Sequence, residues 1–175
     1  FNIPVDELTA VSILTRHFQD KGLDNLVVVA TDIGISKRAR DVAERLKVPL
    51  AIIEKRRQSQ GGQPESLNVI GDVEGKVALT FDDEIDTGGS LLSAVEALRV
   101  QGAKDIYACA THPVLSANAA ELIKNSPIKG LVVSNTIPLP PEKCNGMITV
   151  LPVAPLLGEA IRRIHEGLSV GEMFE

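Results

Sequence analysis

Short aliphatic runs recur along the chain at 26–30, 50–53, 77–81, 106–110, 131–134 and 148–151. Segments with helical spacing of apolar residues lie around and between them, at 8–21, 37–46, 90–101, 117–124 and 156–165. A run such as Leu26-Val27-Val28-Val29-Ala30 offers no polar position to water on either face. It therefore needs cover on both sides, as a strand does in a parallel sheet sandwiched between helices. Strands alternating with helices predict an α/β fold, a doubly wound, mostly parallel sheet with helices on both faces. Gly22, Gly102 and Gly167 sit just past helical segments, where C-terminal caps are expected. One stretch breaks the rhythm: 54–68 reads EKRRQSQGGQPESLN, polar throughout, and predicts a long loop of the kind that is either functional or disordered.

Composition adds constraints to this picture. With 175 residues, 44% hydrophobic and 3% aromatic, one domain can bury an aliphatic core without a metal or disulfide staple. A net charge of −5 argues against nucleic acid or an anionic membrane as the main partner, so any anion site must be local. No run approaches the length of a membrane-spanning helix, and no targeting pattern is read, which leads to an expectation of a cytoplasmic protein. Cys109 falls in a strand and reads as a small buried hydrophobe, whereas Cys144 falls in a loop, without metal-ligand spacing. The chain opens with Phe1 rather than Met, so a portion of something longer is expected.

The candidate chemistry centres on 77–92, VALTFDDEIDTGGSLL. An apolar strand runs into Asp82, Asp83 and Asp86, passes through Thr87-Gly88-Gly89-Ser90 and enters a helix. The glycines, the hydroxyls and the free N–H groups of a helix start form an anion cradle. Acids beside it would repel a bare phosphate, so the phosphate must be attached to a group that carboxylates can bind. Ribose 5-phosphate has that shape, with its hydroxyls on the acids and its phosphate in the turn. The plain alternative is a strand end with solvated carboxylates and a glycine turn that caps the next helix. Lys55-Arg56-Arg57 opens the polar segment directly after a strand and reads either as a solvated basic turn or as cations for a phosphoryl group. Asp32 follows the first strand, where ligands bind in doubly wound sheets. His112 and Ser116 also follow a strand and read as ordering or rim residues; His17 and His165 read as surface or packing residues.

The run from Phe81 to Ser90 resembles the phosphoribosyl-diphosphate motif of the type I phosphoribosyltransferase fold. Ala51-Ile52-Ile53-Glu54-Lys55-Arg56-Arg57, Thr111-His112-Pro113-Val114-Leu115-Ser116 and Ile161-Arg162-Arg163-Ile164-His165 are similar to the ribose-phosphate diphosphokinase family in order and spacing, as is the segment from Asn68 to Lys76. The resemblance implies that residues 1–175 form one phosphoribosyltransferase-like domain, the C-terminal half of a two-domain synthetase, with 54–68 a flexible catalytic loop. It implies an enzyme that moves a diphosphoryl group from Mg-ATP to the anomeric hydroxyl of ribose 5-phosphate, giving phosphoribosyl diphosphate and AMP. Lys55 and Arg57 become the catalytic cations, Arg57 also touching substrate. Asp82, Asp83, Asp86, Thr87, Gly88, Gly89 and Ser90 hold the sugar phosphate, and Asp32 helps to hold Mg²⁺.

The family implies a homo-oligomer, a hexamer at full length, and an isolated half that is inactive because ATP is held largely by the other half and a neighbouring subunit. The sequence departs from the family at Ala30-Thr31, where Ser-Pro is usual, and at Ile35, where a second Gly is usual. A β-branched residue resists positive φ, so a diphosphate turn that needs that conformation at position 35 would be reshaped. A noncatalytic regulatory paralogue of the synthetase, or a phosphoribosyltransferase acting on a base, is the alternative. The intact acids and cations weigh against the first, and the lack of a segment for a base-selecting hood weighs against the second.

Overall fold

The computed structural model of the protein describes residues 1–56, 66–144 and 146–174. Its strands are β1 (Leu26–Ala30), β2 (Leu50–Arg56), β3 (Ser66–Ile70), β4 (Val77–Ile85), β5 (Asp105–Pro113), β6 (Ile128–Ser134) and β7 (Ile148–Leu151). They form one seven-stranded sheet in the order β3-β2-β1-β4-β5-β6-β7. Every neighbouring pair is parallel except β2 with β3. The doubly wound, mostly parallel sheet expected from the pattern is thus present.

Both faces of the sheet are covered, which is why β1 carries no polar residue. Leu26, Val28 and Ala30 point to the side where α1 (Val11–Lys21) and α2 (Ser36–Leu46) pack Leu14, Phe18, Ala39 and Val42. Val27 and Val29 point to the other side, against Leu91, Val95 and Leu98 of α3 (Gly89–Val100) and Ala119 and Ile123 of α4 (Ala119–Lys124). The fifth helix, α5 (Ala154–Glu166), follows β7 and buries only Ala160. No helix among the described residues is long and apolar enough to cross a membrane. Cys109 is buried and Cys144 exposed, and both are free thiols.

The structure redraws several boundaries. Helix α1 starts at Val11 rather than at 8, because Ala10 is its cap and the Thr9 hydroxyl already accepts a hydrogen bond from Val11 N–H. The polar stretch 54–68 is not one loop: residues 54–56 complete β2 and 66–68 open β3, paired antiparallel as Glu54 with Asn68 and Lys55 with Leu67. Leu67 and Val69 pack against the core, which gives β3 its inward face. The middle of the expected loop, 57–65, lies outside the described residues, and with it Arg57, Gly61 and Gly62. Strands β4 and β5 run further than their apolar runs, since the parallel ladder continues through Asp82 with Ala110, Glu84 with His112 and Ile85 with Pro113.

The chain leaves β1 in one direction to build β2 and β3, then returns to lay β4 on the opposite side of β1. The carboxyl ends of β1 and β4 therefore flank a point where strand order reverses, and the connections diverge there to leave a crevice. Thr31-Asp32 emerge from one strand, and the other carries Asp82-Asp83 at its end.

Candidate functional site

Asp82 and Asp83 lie on neighbouring positions of β4 but in different environments. Asp82 is half-buried and Asp83 exposed. Both oxygens of Asp82 are engaged: Thr31 Oγ1 donates to Oδ2 at 2.7 Å, and the Asp83 N–H donates to Oδ1 at 2.9 Å. Burial pushes the Asp82 carboxyl up to about 6; the Thr31 hydrogen bond opposes this and the neighbouring Asp83 adds to it. Asp83 accepts from the Glu84 N–H at 3.0 Å through Oδ1, while Arg38 of α2 approaches its Oδ2 to 3.4 Å. Arg38 also lies 3.8 Å from Glu7, and its side chain is half exposed.

The turn after β4 brings Asp86, Thr87, Gly88, Gly89 and Ser90 round a cavity of about 230 Å³ that Asp32, Asp82 and Asp83 also line. Gly88 caps α3 at φ 80°, a left-handed conformation that disfavours any residue with a Cβ. Space is not what demands glycine there, since a Cβ would make ordinary contacts of 3.7–3.8 Å with Ile123 and Ala119. Gly89 is different: its backbone is not left-handed, and a Cβ would meet only Thr87 Oγ1 at 3.7 Å. The fold thus requires Gly88 alone, and the bare Cα of Gly89 keeps the ground above the turn clear. Helix α3 has no side-chain cap, and the first helical bond runs from Leu92 N–H to Gly88 O at 2.9 Å. The N–H groups of Gly89, Ser90 and Leu91 come before that bond, and all three residues line the cavity.

A second segment braces the turn. Leu115 N–H donates to Ile85 O at 2.9 Å and Ser116 N–H to Asp86 O at 3.1 Å. Leu115 and Ala117 hold φ of 44° and 49°, and Lys143 Nζ donates to Leu115 O at 2.7 Å. Ser116 thereby takes the ordering role expected of it, through its backbone. His112 Nδ1 lies 2.9 Å from Thr136 Oγ1, at the rim of a separate cavity of about 250 Å³ that Arg38 and Asp83 share.

Lys55 comes to the same site from β2. Its Nζ lies 3.5 Å from Ser90 Oγ, so the cation stands over the hydroxyl end of the turn although 35 residues separate the two. Asp32 reaches the cavity from β1. Its Oδ1 accepts from the Ile35 N–H at 3.0 Å. Ile35 is buried with φ −83°, in the right-handed region, so this turn asks for no positive φ at that position. Among the described residues, no three or more His, Cys, Asp and Glu side chains are placed to hold a metal ion. A fully protein-built cage is thus absent from them, but one carboxylate with waters and phosphate oxygens suits Mg²⁺. Asp32 fits that donor set.

Most of the residues singled out in the sequence converge. Asp32, Asp82, Asp83, Asp86 and 87–90 share one cavity, and Lys55 leans over it. Arg57 lies outside the described residues. Sequence reasoning did not pair Thr31 with Asp82, to which it ties β1, or Arg38 with Asp83. Thr31 stands one residue past a strand and Arg38 two residues into the next helix, and neither place names a partner 51 or 45 residues away.

A family model described as the phosphoribosyl synthetase-associated domain matches residues 62–175. The chain is 54% identical over 175 residues to a ribose-phosphate pyrophosphokinase of Halalkalibacterium halodurans, a match that covers 100% of this chain and 55% of that protein. It thus spans about half the length of the curated relatives it matches. Among solved structures, a phosphoribosylpyrophosphate synthetase from Mycobacterium smegmatis superposes with a TM-score of 0.87 at 40% identity, over 95% of this chain and 54% of that one. An APRTase from Giardia lamblia complexed with 9-deazaadenine is similar in fold, with a TM-score of 0.56 at 21% identity over 71% of this chain and 75% of that one.

Proposed function

The chain belongs to the phosphoribosyl synthetase-associated domain family, and on that premise we propose that it is the ribose-5-phosphate-binding half of a ribose-phosphate diphosphokinase. In that reaction the anomeric hydroxyl of ribose 5-phosphate attacks the β-phosphorus of ATP. The new bond joins the sugar oxygen to the β-phosphorus, the bond between the α- and β-phosphates breaks, and AMP leaves. Residues 1–175 act as one phosphoribosyltransferase-like domain, with the segment between β2 and β3 as the catalytic loop.

Each group has a physical task. Asp82 and Asp83 accept hydrogen bonds from the ribose hydroxyls, which fixes the sugar ring and presents its anomeric oxygen. The N–H groups at the start of α3, with Thr87 and Ser90, hold the 5-phosphate, and the bare Gly89 lets it approach. Asp86 borders this cradle and orders the turn. Lys55, with Arg57, stands against the phosphoryl oxygens on which negative charge develops, a contribution that is largest in a site closed to water. Asp32 would hold Mg²⁺ together with phosphate oxygens of the nucleotide; the ion, when bound, neutralises charge on the diphosphate being transferred.

The observation that carries the reading is the convergence of an acid pair, an uncapped helix start and a lysine on one cavity at the switch point of the sheet. Calorimetric titration of the chain with ribose 5-phosphate, ribose and inorganic phosphate tests it. Ribose 5-phosphate should bind more tightly than either part alone, and Asp82→Asn and Asp83→Asn should each weaken it. Equal binding of ribose 5-phosphate and inorganic phosphate would refute the assignment of the acids. The purified chain should not form phosphoribosyl diphosphate from ATP, because the reading assigns most of the nucleotide contacts to groups beyond these 175 residues; a homo-oligomer of longer subunits in the cytoplasm is the setting proposed for turnover.

A further inference from the structure

Four polar side chains are fully buried among the described residues: Thr15, Thr31, Thr80 and Ser134. Three of them give their proton to a backbone carbonyl. Thr15 donates to Val11 O at 2.6 Å, Ser134 to Thr111 O at 2.6 Å and, more weakly, Thr80 to Tyr107 O at 3.4 Å. Thr31 differs. It is 3% exposed, stands at the carboxyl end of β1, and donates to a carboxylate on the neighbouring strand.

The parallel register explains how it reaches. Ala30 pairs with Phe81, so the next residues along each strand, Thr31 and Asp82, stand level with each other at the mouth of the crevice. The Thr31 hydroxyl fixes Asp82 Oδ2 and the Asp83 N–H fixes Oδ1. With both oxygens held, the carboxylate plane cannot turn about its terminal bond. A carboxylate has roughly four acceptor sites, and two remain after these bonds are made.

We propose that Thr31 is a positioning residue for the sugar: its hydroxyl locks the carboxylate of Asp82 in the orientation that receives the ribose hydroxyls. Thr31 need not touch the ligand. Its effect passes through Asp82, because a hydrogen bond to an ionised acceptor is strong enough to decide between carboxylate orientations. Free rotation of Asp82 would leave the phosphate cradle, which is built from other residues, untouched.

This inference rests on the proposed sugar-phosphate site, and the experiment separates the two. The chain is titrated calorimetrically with ribose 5-phosphate and, separately, with inorganic phosphate. Thr31→Val keeps the shape of the side chain and removes the donor. It should weaken ribose 5-phosphate by about tenfold and leave inorganic phosphate unchanged. Thr31→Ser should restore binding to within about twofold of the original. In an Asp82→Ala background, Thr31→Val should cost nothing further, since the group it positions is gone. Unaltered ribose 5-phosphate binding by Thr31→Val overturns the inference while the sugar site stands. Equal loss of both ligands also overturns it and assigns Thr31 a purely structural role. Failure of the unaltered chain to distinguish ribose 5-phosphate from inorganic phosphate overturns the site itself, and this inference with it.

Discussion

Asp82→Asn should make the protein more stable at neutral pH while impairing its proposed task. The carboxyl lies half-buried at the end of β4, and burial raises it from 3.8 to about 6 in the folded protein. A rise of that size corresponds to roughly 3 kcal/mol against the ionised form in the folded state. Solvent reaches part of the group, and screening reduces the figure to about 1–2 kcal/mol. The pH dependence follows from which state holds the proton. Below 3.8 the group is protonated in both states and nothing is lost; between 3.8 and about 6 only the folded form keeps its proton, so stability falls as pH rises; above 6 the loss is complete.

Asparagine removes the charge and can keep both partners, its amide oxygen accepting from Asp83 N–H and its amide NH₂ donating to Thr31 Oγ1. Urea and thermal unfolding of the two proteins from pH 4 to pH 8 read the difference. The variant should gain about 1–2 kcal/mol at pH 8, or roughly 2–8 °C in Tm, and the gain should vanish near pH 4. Contributions from groups distant from Asp82 cancel in the difference. A variant less stable than the parent at pH 8, or a gain that does not change with pH, would show that burial of charge is not what raises Asp82. A stable variant with weakened sugar binding would mark the site as one that gives up stability for function.

Other consequences can be checked more briefly. Lys55→Ala, in an oligomer of full family length that carries out diphosphoryl transfer, should lower kcat by about 10²–10³-fold with little effect on ribose 5-phosphate affinity; an unchanged kcat removes Lys55 from the catalytic role. Gly88→Ala should destabilise the chain by about 1–2 kcal/mol through its left-handed backbone. Gly89→Ala should raise stability by about 0.5–1 kcal/mol through helix propensity yet weaken inorganic phosphate binding; melting curves and phosphate titrations would show whether the two glycines divide their roles in this way. A thiol reagent should modify Cys144 in the folded protein and reach Cys109 only in denaturant, because burial holds the Cys109 thiol well above its usual range. Rapid modification of both under native conditions would contradict the packing of β5.

Much of this architecture was already legible in the sequence, and particular residues show why. Leu26-Val27-Val28-Val29-Ala30 announced a strand covered on both faces, and β1 and β7 match their apolar runs end to end. Helices α2 and α3 begin within one residue of the periodicity that foretold them. The acid and glycine motif was readable because its parts are consecutive: one turn of chain carries Asp82 to Ser90 into a single cavity. β3 was missed because its inward face is only Leu67 and Val69, set in polar neighbours. The ends of β4 and β5 were missed because polar residues there stay in the ladder through their backbone partners.

Sequence by itself therefore determined the class of fold, the order of its elements apart from β3, and the residue make-up of the acid and glycine turn, since each depends on residues close along the chain. Tertiary structure decided the relations between distant residues. Thr31 meets Asp82 across 51 residues, Arg38 meets Asp83 across 45, and Lys55 meets Ser90 across 35. Those meetings follow from the strand order and register of the sheet, which bring the ends of β1, β2 and β4 to one edge. Local spacing cannot encode them, because the same two segments would read identically in a sheet wound in another order. Ile35 is another case: its conformation was not legible from its identity, and its burial against the α2 side of the core, with its N–H given to Asp32, goes with an ordinary right-handed backbone.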